Sequence, residues 1–333
     1  AVNDADLGDT LVAVAAAPTV QLLDATGAPV TPTPGAIPVG LTAPGVFTLS
    51  ALAASTGTAQ SLGYTYDPAG VNLDFLREGE RLLVSYEVTV SDGTVTTAAQ
   101  TVTFTIFGTN DRPVVSAVVN AASEANAGDA VTVLAGNFAA SDADRAAVLS
   151  YDVLLANRPA GFTLDAVAGT YSLDLTNAAY NSLAAGQSVT LTIPYTVTDE
   201  FGASASNTLT ITVNGTNDRP VAQAVSAGVM GNAVPLVNED GPAVTITAVA
   251  MDVDNGDMLT YTINTAGTIG AVINNGDGTF SYNAAGAFDS LPDGVTTTDT
   301  FSYTVTDRGG LTSTATVTVT ITGQNDPLVA QNY

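Results

Sequence analysis

Asn-Asp pairs mark this chain at nearly constant intervals and give the first indication of its chemistry. They begin at Asn3, Asn110, Asn217 and Asn325, which lie 107, 107 and 108 residues apart. Carboxylate and amide oxygens are hard ligands, and Ca²⁺ binds about six to eight of them in flexible geometry. A repeated acidic pair with further acids in step therefore predicts calcium sites near these positions.

Further aspartates recur behind the two inner pairs in the same order. They are Asp142, Asp144, Asp199, Asp252, Asp254 and Asp307. They form one set of three behind each pair, and each set begins with an Asp-x-Asp pair and ends in an aspartate at a short turn. A lone Asp-Gly turn, such as the one at Asp277, is explained by turn chemistry and predicts no metal.

The composition excludes several classes of function. The 333 residues include 32 acids against seven basic residues, all arginine, for a net charge of −25. So few cations cannot neutralise a nucleic-acid backbone or an anionic membrane surface. Cysteine and histidine are absent, which removes disulfides, histidine-ligated zinc and Ser–His or Cys–His nucleophiles. We therefore expect no nucleic-acid partner and no enzyme, although a carboxylate pair could in principle hydrolyse glycosides.

Alternating apolar residues and threonines predict strands with one buried face. Clear examples are segments 101–106, 209–213 and 315–321, each paired with an earlier strand across a short Asp- or Gly-containing turn. About a hundred residues of such strands predict an Ig-like sandwich, so the fold is expected to be an all-β tandem array of three. The predicted boundaries are 1–109, 110–216 and 217–324. No apolar run is long enough to predict a transmembrane segment.

The strand order of such a sandwich brings acids from two domains to each linker. The B–C and F–G turns lie beside the domain's own N-terminal linker, and the A–B and E–F turns lie beside the next one. The first joint is predicted to gather Asp74, Glu78, Glu80, Asn110, Asp111, Asp142, Asp144 and Asp199. The second is predicted to gather Glu124, Asn217, Asp218, Asp252, Asp254 and Asp307. Calcium would cross-link carboxylates that otherwise repel one another.

These motifs resemble a known family. Segments 195–199 (Tyr-Thr-Val-Thr-Asp) and 215–221 (Gly-Thr-Asn-Asp-Arg-Pro-Val) are similar to the cadherin-like, VCBS-type tandem repeats of large secreted, RTX-type bacterial adhesins. The Asn-Asp pair before a proline and the Asp-x-Asp pairs also resemble motifs of animal cadherins. The resemblance covers nearly the whole chain. It implies cadherin-like sandwiches, calcium at the joints, and an extracellular rod that projects an adhesive tip.

The two ends depart from the regular pattern. Ser55 and Gly57 stand in the first domain where the second has its Asp-x-Asp pair. Glu239 and Asp240 are expected to face the last Asn-Asp pair. Segment 325–333 is predicted to begin a further repeat or to form a strand donated to a neighbour. Because the chain has no initiator methionine and no signal peptide, we expect it to be processed or cut from a longer protein.

Three non-catalytic functions remain open from the sequence. The first is a calcium-rigidified structural or adhesive module of a bacterial surface protein, whose partners are calcium, neighbouring repeats and a cell-surface or matrix ligand. The second is a subunit of a head-to-tail extracellular filament or surface layer, in which the partner is another copy. The third, a sugar- or protein-binding adhesin domain, predicts an aromatic-rich loop. The single candidate, the proline-rich segment 31–44, contains no aromatic residue.

Overall fold

The structure is a computed structural model that describes residues 1–32, 37–126, 129–229, 236–284 and 286–327. Within these ranges the chain is almost entirely β-structure and contains no α-helix; two short 3₁₀ helices, Val39–Thr42 and Leu155–Asn157, connect strands. No helix in the described ranges is long and apolar enough to cross a membrane. The predicted all-β tandem array is confirmed. The tail 328–333 lies outside the described residues.

The described residues of the first domain form seven strands. They are β1 (Val12–Ala15), β2 (Thr19–Leu23), β3 (Pro29–Val30), β4 (Phe47–Leu49), β5 (Tyr64–Tyr66), β6 (Arg81–Ser91) and β7 (Gln100–Phe107). Strand β6 is central, with β7 antiparallel on one edge and both β1 and β2 antiparallel on the other. Strand β3 extends β2, and β4 pairs with β5 in a separate two-stranded sheet.

Nine strands occur in the part of the second domain that the structure describes. They are β8 (Val114–Ser116), β9 (Val118–Ser123), β10 (Val133–Asn137), β11 (Ala139–Ser141), β12 (Ser150–Asp152), β13 (Phe162–Asp165), β14 (Thr170–Asp174), β15 (Ser188–Thr198) and β16 (Ser204–Asn214). One sheet has the order β12-β15-β16-β9, in which β9 runs parallel to β16. The opposite layer is β10-β14-β13, and β8 pairs with β11.

The third domain repeats this arrangement. Its strands are β17 (Val221–Gln223), β18 (Val225–Ala227), β19 (Val237–Asn238), β20 (Val244–Thr247), β21 (Val249–Met251), β22 (Thr260–Asn264), β23 (Ala271–Asn274), β24 (Thr279–Asn283), β25 (Thr296–Thr306) and β26 (Thr312–Thr322). The order β18-β26-β25-β22 matches the large sheet of the second domain, with β18 and β19 parallel to β26. No ladder among the described residues joins two domains.

Each domain has its own apolar core, as the period-two pattern requires. In the long hairpins β15–β16 and β25–β26, side chains alternate between a buried or half-buried face toward the opposite layer, which is largely apolar, and a more exposed face, which is largely threonine. Tyr195 and Tyr303 occupy the same position in these two cores, and the hydroxyl of Tyr303 donates to the carbonyls of Gln223 (2.6 Å) and Val249 (2.8 Å). These bonds connect the large sheet to the paired strands β17 and β21.

The first domain differs in strand order. Its β7 corresponds to β16 and β26, yet the described residues place no parallel strand on its outer edge, because β1 pairs with β6 instead. Its fully buried aliphatic cluster is small, and a group of contacting rings supplements it: Phe47 stacks on Tyr86 at 4.2 Å between centroids, and Tyr66 stacks on Phe104 at 4.3 Å. Residues 33–36 of the proline-rich segment lie outside the described ranges.

Candidate cation sites at the domain joints

The second domain presents its acids to the first linker through two turns. Between β11 and β12, the amide of Asp144 donates to Oδ1 of Asp142 at 2.9 Å, which fixes the Asp-x-Asp pair. The amide of Asp111 donates to Oδ2 of Asp144 at 2.9 Å. Nδ2 of Asn110 donates to Oδ2 of Asp199, which lies in the β15–β16 turn, at 3.0 Å. The Asn-Asp pair is therefore bonded to both turns.

The second linker has the same bonds in the same order. The amide of Asp254 donates to Oδ1 of Asp252, and the amide of Asp218 donates to Oδ2 of Asp254, both at 2.9 Å. Nδ2 of Asn217 donates to Oδ2 of Asp307 at 2.9 Å. In the Asp-x-Asp pairs, each bond occupies one oxygen of its carboxylate and leaves the other oxygen for a different partner. In Asp199 and Asp307, the other oxygen already accepts backbone amides of its own turn.

Those second oxygens are mostly buried and unpaired. In the described parts of the chain, one oxygen with no hydrogen-bond partner occurs on each of Glu80, Asn110, Glu124, Asp142, Asp144, Asp218, Asp252 and Asp254. A buried anionic oxygen without a partner is costly, and buried charges are normally paired or bound to metal. A chain that has so few basic residues cannot pair them all internally. A divalent cation with oxygen preference fits this donor set.

The second joint brings acids of two domains together most closely. Glu124, which follows β9 of the second domain, lies with Asp218 and Asp254 so that one oxygen from each falls within 4.8 Å of the others. All three side chains are at most 5% exposed. The amide of Thr216 donates to Oε1 of Glu124 at 2.7 Å and leaves Oε2 unpaired. Three carboxylates at this separation repel strongly without a cation.

A second group at this joint contains a residue that the sequence analysis missed. Asp252, Asp257 and Asp307 also have one oxygen each within 4.8 Å of one another. Asp257 follows the Asp-x-Asp pair by three residues in a tight turn, where its amide donates to the carbonyl of Asp254 at 3.3 Å. The available signal was the longer string Asp-x-Asp-x-x-Asp, which the first joint lacks because Ala147 stands there.

The E–F acids at the first joint are placed unequally. Glu80 is 1% exposed and its Oε1 contacts the guanidinium of Arg145 from the second domain. Asp74 is exposed and accepts from Nδ2 of Asn72 at 3.1 Å, but it is close enough for its charge to act on Asp111. Glu78 is exposed, and the structure does not bring it together with the other acids.

The electrostatic environment of the joints is unfavourable to bare carboxylates. Burial raises the pKa of Asp111, Asp144, Glu124, Asp252 and Asp254, and neighbouring acids raise each of them further. Asp199 is the exception. Burial opposes its ionisation, but hydrogen bonds from Asn110, Ala203 and Phe201 outweigh it and lower the pKa. The joints are thus arranged so that added positive charge is favoured.

Partial copies of the joint occur at both ends. Glu239 is fully buried, and the amide of Gln324 donates to its Oε1 at 2.7 Å, as Thr216 does to Glu124. Its Oε2 is unpaired. Burial raises the pKa of the adjacent Asp240, and Asp326 and Glu239 add to the effect.

At the N-terminal end, Ser55 occupies the place of the first Asp of an Asp-x-Asp pair. Its Oγ accepts from the amide of Gly57 at 3.4 Å. Asp4, Asp9 and Asp92 also lie there, with one oxygen each within 4.8 Å of the others.

Comparison with known families gives a match for the third domain. A family model described as a bacterial cadherin-like domain matches residues 217–323. The third domain is similar to bacterial cadherin-like domains. The first two domains lie outside the match, and the secreted RTX-type context stays a prediction. No curated protein sequence is significantly similar to the chain.

Solved cadherin structures are similar to the chain only at low identity. The EC21–23 fragment of human CDH23 is 15% identical, covers 94% of this chain and 89% of its own length, and has a TM-score of 0.45. The EC22–24 fragment of mouse cadherin-23 is 17% identical over 97% of this chain and 93% of that one, with a TM-score of 0.39. The EC1–4 fragment of Drosophila N-cadherin is 17% identical over 92% and 67%, with a TM-score of 0.35.

Proposed function

We propose that this chain is a structural and adhesive repeat segment of an extracellular bacterial surface protein, in which Ca²⁺ binds at the joints and stiffens the array. The function is non-catalytic: the acids form metal ligands that connect one domain to the next. Extracellular calcium modules bind with dissociation constants of about 10⁻⁴–10⁻³ M, so such joints would be loaded outside a cell.

One observation carries the proposal. At both inner joints, buried side-chain oxygens of the two flanking domains and the linker have no hydrogen-bond partner. At the second joint, Glu124, Asp218 and Asp254 each place one oxygen within 4.8 Å of the others. Hydrogen bonds within the protein already occupy the other oxygen of several of these carboxylates, such as Oδ2 of Asp144 and Oδ2 of Asp254. These buried oxygens support the proposal because a bound cation would supply the partner that the surrounding protein groups do not.

Calcium would act here on the relative orientation of domains. Without a cation, the repelling carboxylates favour separation of the flanking domains. With a cation, carboxylates of both domains bind the same ion. Binding to the ordered form alone also stabilises it, by about 4 kcal/mol at a thousandfold excess of calcium over the dissociation constant. A chain without cysteine has no disulfide to supply that stability.

The proposal is tested by thermal unfolding of the full chain in calcium and in excess chelator, with Asp142→Asn and Asp144→Asn combined in one variant. Wild-type protein should lose stability on chelation, and the double variant should lose only the part that the first joint supplies. Asp165→Asn is a matched control, because Asp165 lies in the same domain and accepts bonds only within its own turn. Equal melting curves in calcium and chelator would overturn the proposal.

A filament of copies joined end to end is a second candidate. The observation that favours it is the buried Glu239, whose Oε2 has no hydrogen-bond partner and whose Oε1 accepts from the amide of Gln324 in the linker after the third domain. In the proposed joint, a further domain would supply the remaining ligands. That domain belongs either to the same polypeptide or to another copy. Sedimentation velocity distinguishes these cases: calcium-dependent growth that Glu239→Gln abolishes supports the filament, and a monomer at all calcium concentrations rejects it.

A further inference from the structure

The two inner joints differ in how much of the interdomain link is made by protein groups alone. Two ion pairs cross the first joint. Arg145 of the second domain contacts Oε1 of Glu80 in the first, and Nη1 of Arg77 lies 3.3 Å from Oε1 of Glu200. Within the described ranges, no ion pair crosses the second joint.

The pair at the centre of the first joint is sheltered from water. The side chain of Glu80 is 1% exposed and that of Arg145 is 27% exposed, so solvent screens their attraction less than on an open surface. Nε of Arg77 lies 3.5 Å from the same oxygen of Glu80. Glu80 therefore has two guanidinium groups beside it, one from each domain.

At the second joint, the neutral residue Asn255 stands at the position that corresponds to Arg145. The amide of Arg145 donates to the carbonyl of Phe75 in the preceding domain, and the amide of Asn255 donates to the carbonyl of Ser182, both at 3.0 Å. The two residues therefore make the same backbone contact across their joints. At the second joint the side chain adds only a hydrogen bond, from Nδ2 of Asn255 to Oγ of Ser182 at 3.1 Å.

The second joint, which has fewer crossing ion pairs than the first, has more closely spaced acids. The second joint has two groups of three acids whose oxygens lie within 4.8 Å, and one of them depends on Asp257. The described residues of the first joint form no such group, and Ala147 stands at the position of Asp257. The joint that lacks a crossing ion pair thus has the denser carboxylates.

We infer that Arg145 is a built-in cation that replaces part of the calcium requirement of the first joint. This inference rests on the proposed function. The guanidinium neutralises Glu80 permanently and repels any cation bound nearby, so the first joint binds calcium more weakly and keeps its orientation when calcium is removed. The second joint loses its orientation under the same conditions. The array consequently bends first between its second and third domains.

Spin labels measure this difference directly in the full chain. Because the protein has no cysteine, single cysteines can be placed at the exposed residues Ala99, Ala166 and Ala266, one in each domain. Ala99 with Ala166 reports the first joint, and Ala166 with Ala266 reports the second. The distances between the two labels are then measured by double electron–electron resonance in calcium and in chelator.

In chelator, the distance distribution across the second joint should broaden at least twofold, while the first stays close to its calcium-bound width. Arg145→Asn, which installs the residue found at the second joint, should broaden the first joint in chelator and leave it narrow in calcium. Glu80→Gln should likewise broaden the distance distribution across the first joint in chelator. Arg158→Asn is the control, because it removes the same charge from a residue that contacts Val153 and Asp152 within its own domain.

The outcomes separate the inference from the function it rests on. If both joints broaden equally in wild-type protein on chelation, or if Arg145→Asn behaves as Arg158→Asn does, the inference is wrong and the calcium function stands. If neither joint responds to calcium, the proposed function itself fails. A first joint that resists chelation only while Arg145 and Glu80 are present supports the inference.

Discussion

Glu124→Gln should change the stability of the chain in opposite directions with and without calcium. The side chain is 4% exposed and its oxygen lies within 4.8 Å of oxygens of Asp218 and Asp254. Glutamine keeps the shape and still accepts the 2.7 Å bond from the amide of Thr216 through its carbonyl oxygen. The substitution therefore removes one charge and little else.

The size of the effect follows from the charges. At an effective dielectric constant of about 20, two unit charges at the 4.8 Å limit repel by about 3.5 kcal/mol. Glu124 takes part in two of the three pairs, and burial together with the charges of Asp218 and Asp254 raises its pKa. We expect the free energy of unfolding in chelator to rise by about 1–3 kcal/mol, which is about 5 °C or more in melting temperature.

In calcium the same change removes a charged ligand. A tenfold weaker affinity costs about 1.4 kcal/mol of the stabilisation that bound calcium supplies. We expect a loss of at least that size, so the melting temperature in calcium should fall. Differential scanning calorimetry in calcium and in chelator, on the same preparation, measures both effects.

Glu87→Gln is the matched control, because Glu87 is an exposed glutamate on β6, away from the three-acid group. It should leave both melting temperatures within about 1 °C, as surface substitutions usually do. If Glu124→Gln lowers stability in chelator as much as in calcium, the carboxylate is a structural hydrogen-bond acceptor and not a metal ligand. That result would refute the charge argument for this joint.

Three further predictions concern other parts of the chain. Asp257→Asn should weaken calcium binding in isothermal titration while Asp152→Asn does not, since only Asp257 lies in a three-acid group; equal affinities would contradict this. Asp299→Ala should destabilise the third domain by about 2–4 kcal/mol equally in calcium and chelator, because Ile269, Gly270 and Tyr282 all donate to that buried carboxylate; a calcium-dependent loss would contradict it. In chelator, stability should fall as pH rises from about 4 to 7, since groups whose pKa is raised, such as Asp144 and Asp254, stabilise the fold only while protonated. Calorimetry should show calcium abolishing this fall, and a rise in chelator would mean that groups with lowered pKa, such as Asp199, dominate.

The regular parts of the fold were predictable from the sequence because two signals agree there. In β15–β16 and β25–β26, a strict alternation of apolar residues and threonines fixes the buried face, and the short turns fix the pairing. The 107-residue spacing then carries the same interpretation from one domain to the next. Local pattern and long-range period both point to one antiparallel sandwich.

The strand order of the first domain was not predictable. Its strand β1 has the same alternating character as the opening strands of the other domains, but it pairs with β6 and leaves the outer edge of β7 without a parallel partner. Alternation predicts which face is buried but does not determine the neighbouring strand. That choice depends on how the domain fills its core, here with the rings of Phe47, Tyr66 and Phe104.

The acids of the joints were predictable in type and position, but their pairing was not. The spacing locates Asp142 and Asp254 because they repeat in register with the linkers. It does not reveal that Glu80 is buried while Glu78, two residues earlier, is exposed, since Gly79 at a φ of +83° reverses the chain between them. Nor does it reveal that Arg145 meets Glu80, because that contact exists only once two domains are packed together.

Small-angle X-ray scattering of the full chain in calcium and in excess chelator tests the central claim most directly. The account predicts an extended, stiff particle in calcium and a flexible one in chelator, with a broader distribution of interatomic distances and a lost plateau in the normalised Kratky plot. Added calcium should restore the first curve. Identical scattering curves in both conditions would mean that the joint acids are solvated charges, and would contradict the calcium-stiffened array.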